Sequence, residues 1–178
     1  SPDLVVESIQ VPGLAKEGDL VEVSWTVQNQ GQGDALGLWV DTVWLVSLEG
    51  QPSVSLGSFT YDRGLASGVR YTRTEQVRLP SKIEGQYRVQ VVTNANLGGS
   101  GSQVYEYREA RNNNQRVSAD GMQVSLYARP DLRVGTVTVP EHVTAGTAAG
   151  IRYTINNMGS VATSGRWVDR VYLRSEER

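Results

Sequence analysis

The chain has 178 residues, 39% of them hydrophobic and 20% charged, which suits one folded domain or two small ones and excludes a disordered segment. A net charge of −2 and a pI near 5.5 give no basic surface for nucleic acid, and no run of about 18 apolar residues is present to span a membrane. No cysteine occurs, so a disulfide framework and a thiolate metal site are excluded and the compartment is left open.

Taken in chain order, Ser1-Pro2-Asp3 has no signal-peptide pattern and reads as the interior of a longer protein. A first strand is predicted over 4–11, where Leu4 and Val6 share one phase and Ile9 and Val11 the other. Such a slip marks a β-bulge or a strand that crosses between sheets. In 21–29, Val21, Val23, Trp25 and Val27 alternate with polar residues, a period of two. The segment "WVDTVWLVS" (39–47) follows, then 69–79 with Val69, Tyr71, Val77 and Leu79 in phase. Tyr87, Val89 and Val91 make another strand, and Met122, Val124 and Leu126 a last one. Turn residues separate these runs at 17–19, 30–33, 49–52, 84–86 and 120–121. No window keeps a helical period, and about seven to nine short strands at this spacing predict an antiparallel β-sandwich.

Residues 129–178 repeat the opening. Pro2 set on Pro130, an offset of 128, places "PDLVVESIQVP" on "PDLRVGTVTVP" and "WTVQNQG" on "YTINNMG" without a gap. "GLWVDTVWLVS" (37–47) then meets "GRWVDRVYLRS" (165–175). The phase slip of the first strand recurs at Val134 and Val137. A period of that length suits a whole domain rather than a solenoid unit. The expected organisation is therefore a complete sandwich over 1–128 and the first three strands of a second over 129–178. "YARPDL" (127–132) leaves hardly any linker between them, which implies a semi-rigid rod.

The opening Pro-Asp-Leu, the Asn29-Gln30-Gly31 turn and the Trp-x-Asp-x-Val-aromatic-Leu-Ser strand at 39–47 together resemble the CARDB family, a cell-adhesion-related domain found in bacteria. "YREARNNNQRV" (107–117) is similar to the family's Glu-x-x-x-Asn-Asn stretch, with Glu109 three residues before Asn112 rather than four. The resemblance covers 2–128 and again 130–178. It implies an Ig-like fold in a tandem arrangement whose second copy is truncated. It also implies a place in a large bacterial surface or secreted protein, as a spacer, an adhesive unit or an enzyme accessory.

Few residues carry candidate chemistry. Asp41 shares the phase of Trp39, Val43 and Leu45, so its carboxylate faces the core and needs partners there. The structural role is to accept backbone or tryptophan N–H bonds. The functional one is to ligate calcium with Glu106, Glu109 and Asp120. Asn112 to Asn114 add oxygen atoms beside those carboxylates, and asparagine also caps turns and tolerates left-handed backbone. No EF-hand loop pattern occurs, and no cofactor is expected beyond that one cation. The stretch "NANLGGSGSQ" (94–103) reads as a flexible surface loop, and its Asn96, Gly98 and Gly99 are the expected place for module-specific binding. Trp44, on the outer phase with Val40 and Val46, would cover the sheet or pack on a neighbouring module, or stack on a sugar.

Catalysis has no support, since His142 is the only histidine and falls in a loop. The sequence thus predicts a non-catalytic extracellular spacer or interaction unit. Its partners would be neighbouring modules of the same protein, a cell-surface protein or a polysaccharide. A ligand-binding module for calcium, carbohydrate or protein, or an accessory domain of a secreted enzyme, is the competing reading. Three amphipathic strands cannot bury their own apolar faces. Ile151, Tyr153, Val171 and Leu173 are therefore expected to pack outside their own copy, against the first module or in a homodimer.

Overall fold

A computed structural model of the chain describes residues 1–98 and 103–175. The chain separates into two compact units, Ser1–Tyr127 and Ala128–Arg178. The first holds nine strands among its described residues: β1 (Leu4–Gln10), β2 (Leu14–Lys16), β3 (Leu20–Asn29), β4 (Trp39–Ser47), β5 (Val54–Tyr61), β6 (Arg70–Arg78), β7 (Gly85–Val92), β8 (Gln115–Val117) and β9 (Met122–Ser125). A short 3₁₀ turn at Arg108–Arg111 precedes β8. One sheet has the order β1-β3-β6, and the other runs β2-β9-β7-β4-β5 with β8 also on β7.

The two sheets face each other across the side chains that the period of two turns inward. Leu4, Val6, Val23, Trp25, Val27 and Val77 come from the first sheet. Val43, Leu45, Val89, Val91, Met122 and Val124 come from the second, and all belong to one buried cluster. The fold is an all-β antiparallel sandwich. The phase slip in the first strand is a register shift between Val6 and Ser8 where β1 pairs β3. The chain then also changes sheets, because β2 lies parallel to β9 on the opposite layer. The bulge therefore accounts for the slip, and the change of sheet comes after it, between β1 and β2.

The Pro-Asp-Leu and Asn-x-Gly motifs meet in space, and each explains the other. Asn29 Oδ1 accepts the backbone N–H of Asp3 (3.0 Å) and of Gly31 (3.1 Å). Its Nδ2 donates to Gly33 O (2.8 Å) and Leu65 O (2.9 Å). Gly31 is required there, since a Cβ would stand 2.3 Å from Ser1 O. At the far end of the unit, buried Glu17 accepts the N–H of Lys82 (2.5 Å) and of Tyr127 (3.0 Å).

The second unit contains β10 (Leu132–Thr138) and β11 (Arg152–Asn157). Their pairing runs from Leu132↔Asn157 to Thr138↔Arg152, with a shift between Val134 and Val137. Every rung is the β1–β3 rung displaced by 128 residues. Asn157 likewise accepts from Asp131 N (3.0 Å) and Gly159 N (3.0 Å).

The expected third strand is a correction. Residues 165–175 form no strand, although they nearly repeat 37–47. In the first unit β4 is central, with ladders to β5 and β7 on its two edges. The described residues of the second unit offer no such neighbours, and a strand without a ladder leaves its backbone groups to water. Ile151, Tyr153, Val171 and Leu173, expected to be packed, all stand exposed in this chain.

Candidate functional site

Two buried carboxylates organise one end of the first unit. Asp41, fully buried on β4, has both oxygens occupied. Oδ2 accepts from Trp25 Nε1 (2.8 Å) and the Tyr71 hydroxyl (2.6 Å), and Oδ1 from the Thr93 hydroxyl (2.7 Å). Trp39 Nε1 donates to the Tyr71 hydroxyl (3.2 Å), and Tyr71 stacks on Tyr61 at 3.9 Å. Burial pushes the Asp41 carboxyl above its ordinary value, against the lowering effect of the Tyr71, Trp25 and Thr93 hydrogen bonds. Burial, with the Asp41 charge beside it, pushes the Tyr71 phenol upward as well.

Asn94, next to Thr93 along the chain, serves the second carboxylate. Glu106, also buried, accepts the Leu4 N–H on Oε1 (2.5 Å). Its Oε2 accepts Asn94 Nδ2 (2.7 Å) and Asn114 Nδ2 (2.5 Å). Asn94, at φ +50°, holds the base of the 94–103 loop through Val104 N (2.8 Å) and Val104 O (2.8 Å). Gln103 Nε2 adds a bond to Asn94 O (2.9 Å). The base of a loop expected to be flexible is thus clamped. Left-handed backbone is used by Asn94 and not by Asn112, whose φ is −100°.

The calcium candidates are not brought together. Asp41 and Glu106 sit in separate hydrogen-bond sets, Glu109 lies on the exposed 3₁₀ turn, and Asp120 is exposed beyond β8. Among the described residues no group of three His, Asp or Glu side chains has a metal-holding arrangement. Asn113 donates to Asp3 Oδ1 (2.9 Å), tying this segment to the chain start. Trp44 lies on the outer face of β4, half-buried, with Nε1 on the Thr42 hydroxyl (3.1 Å). His142 is exposed.

Asn96 and Gly98 form an exposed turn in which Asn96 Oδ1 accepts Gly98 N (3.0 Å), and Gly99 lies outside the described residues. That turn borders a cleft of about 570 Å³, whose walls include Asn96, Gln103, Tyr105, Glu106, Arg111 and Asn114. Arg111 donates Nε to Glu106 O (2.7 Å), and its guanidinium lies 5.0 Å from the Tyr105 ring centre. Asn114 Oδ1 is buried and accepts no hydrogen bond.

In this sandwich the buried carboxylates Asp41 and Glu106 hold strands and loops together. The family profile of CARDB matches residues 1–117, and the chain belongs to that family. A crystal structure of a CARDB domain from Pyrococcus furiosus, in complex with di-metal ions, is 20% identical, with a TM-score of 0.49 over 70% of this chain and 89% of that one. A β-glucosidase from Erythrobacter marinus is 13% identical, with a TM-score of 0.45 over 70% of this chain and 16% of that one. A β-glucosidase from Listeria innocua in complex with gluconolactone is 15% identical, with a TM-score of 0.43 over 69% and 16%. No curated protein matches the sequence.

Proposed function

We propose that the chain is a structural and interaction segment of a larger, repetitive bacterial protein that works outside the cell or on its surface. In this reading 1–127 is one complete module and 128–178 the opening of the next. Neighbouring modules of the same protein are the first partners, and cell-surface protein or polysaccharide the second.

One observation carries the reading. Val43 and Leu45 are 0% and 1% exposed, while their counterparts Val171 and Leu173 are 58% and 101% exposed. The same positions in the same local sequence are core in one unit and bare in the other. In the first unit they share a cluster with Val77, Leu79, Val89, Val91, Met122 and Val124. Burying a Val or Leu side chain contributes about 1.5–3 kcal/mol, so several such positions left bare make 128–178 an interaction surface. A second copy of the chain would cover them, and so would the later strands of a module.

A chimera tests this. Residues 48–127 are appended after Ser175, giving the second unit the strands that follow β4 in the first. The expected outcome is slow amide exchange across 130–175, comparable to that of 2–47. Amides of 167–173 that exchange as freely as before would remove the basis for a second module.

A further inference from the structure

We propose that the cleft between the 94–98 turn and the 103–114 segment binds a neutral glycan. This rests on the polysaccharide partner proposed above, gives it a site, and does not depend on what covers 128–178. Three features of the walls point the same way. The first is an unsatisfied acceptor: Asn114 is 7% exposed, its Nδ2 is committed to Glu106, and its Oδ1 is left without a donor. A buried polar atom in that condition is costly unless something donates to it.

The second is a set of groups the fold has oriented but not used. Arg111 spends Nε on Glu106 O, which fixes the plane of its guanidinium, and among the described residues nothing accepts from Nη1 or Nη2. Gln103 spends Nε2 on Asn94 O and keeps Oε1, and Asn96 spends Oδ1 on Gly98 N and keeps Nδ2. The walls therefore hold donors at Arg111 and Asn96 and an acceptor at Gln103, with Asn114 Oδ1 just beneath the surface. The third is Tyr105, 66% exposed, with the guanidinium 5.0 Å from its ring centre.

This mixture selects the ligand class. An apolar ligand would leave Asn114 Oδ1 unpaired. An anion would set its charge against that acceptor and against the Glu106 carboxylate in the same wall. Sugar hydroxyls each donate and accept, so vicinal hydroxyls satisfy amide oxygens and guanidinium N–H groups together. The C–H face of the ring would pack on Tyr105. The cleft's volume lies within the range of small-ligand sites.

The test is an amide and side-chain NMR titration of the whole chain with cellohexaose, laminarihexaose, mannohexaose and, as an acidic comparison, trigalacturonate. At least one neutral hexaose should shift Asn96, Gln103 and Asn114, including their side-chain NH₂ signals. Tyr105→Ala should weaken that binding about tenfold, as loss of an aromatic contact does. Arg111→Ala should weaken it comparably, and neither change alters the core. No shift at these residues with any neutral hexaose overturns the proposal. So does binding that both variants leave intact, or shifts centred on Trp44. Shifts with trigalacturonate alone would also overturn it and make Arg111 an anion contact instead.

Discussion

Burial raises the Asp41 carboxyl above its ordinary value, and the three donors around it only partly oppose this. The folded state therefore holds a proton more tightly than the unfolded state does. Stability from this group is fully present below the unfolded pKa and is lost as pH rises through the folded one. Asp41→Asn removes that dependence while keeping an amide oxygen for Trp25. Melting midpoints followed from pH 7 down to pH 4 should show wild type gaining on the variant as pH falls. An unchanged difference would mean that Asp41 is ionised in both states. That Asp41 faces the core was legible from its phase with Trp39 and Val43. Its partners were not, because Tyr71 and Thr93 come from distant segments and a turn. Glu106 and Asn114 stood out only as oxygen atoms in a cluster. Nothing in single-residue spacing tells a carboxylate that would hold a cation from one that receives loop N–H groups.

At the level of elements, periodicity located most strands of the first unit, and the paired slips at Val6 and Val134 located the bulge. The failure at 165–175 is instructive because 39–47 carries almost the same letters and is a strand. Alternation records which side chains want burial, but a ladder needs a neighbour to bond with. Leu45 and Leu173 turn this into a measurement. Leu45→Ala should cost about 3 kcal/mol in the main urea transition, as a core truncation does. Leu173→Ala should stay within about 0.5 kcal/mol, as an exposed change does. Equal losses would show that the second unit buries Leu173 in solution.

For the molecule as a whole, the bare positions of 128–178 form an open apolar trough of about 360 Å³ between the β10–β11 hairpin and 168–172. Light scattering behind a sizing column should find the chain self-associating at micromolar concentration. Val134→Asp with Val171→Asp should return it to a monomer, since a charge in an apolar interface is costly. A wild-type chain that elutes as a monomer at every concentration would remove self-association as the means of covering that face. The first unit has a mechanical property that follows from its topology. Its second strand and its last strand lie side by side and parallel, with Leu14, Ala15 and Lys16 opposite Gln123, Val124 and Ser125. Tension applied to the two ends of that unit pulls these strands past each other lengthwise. The rungs then share the load and must yield together instead of opening one at a time, so the unit resists being drawn out lengthwise.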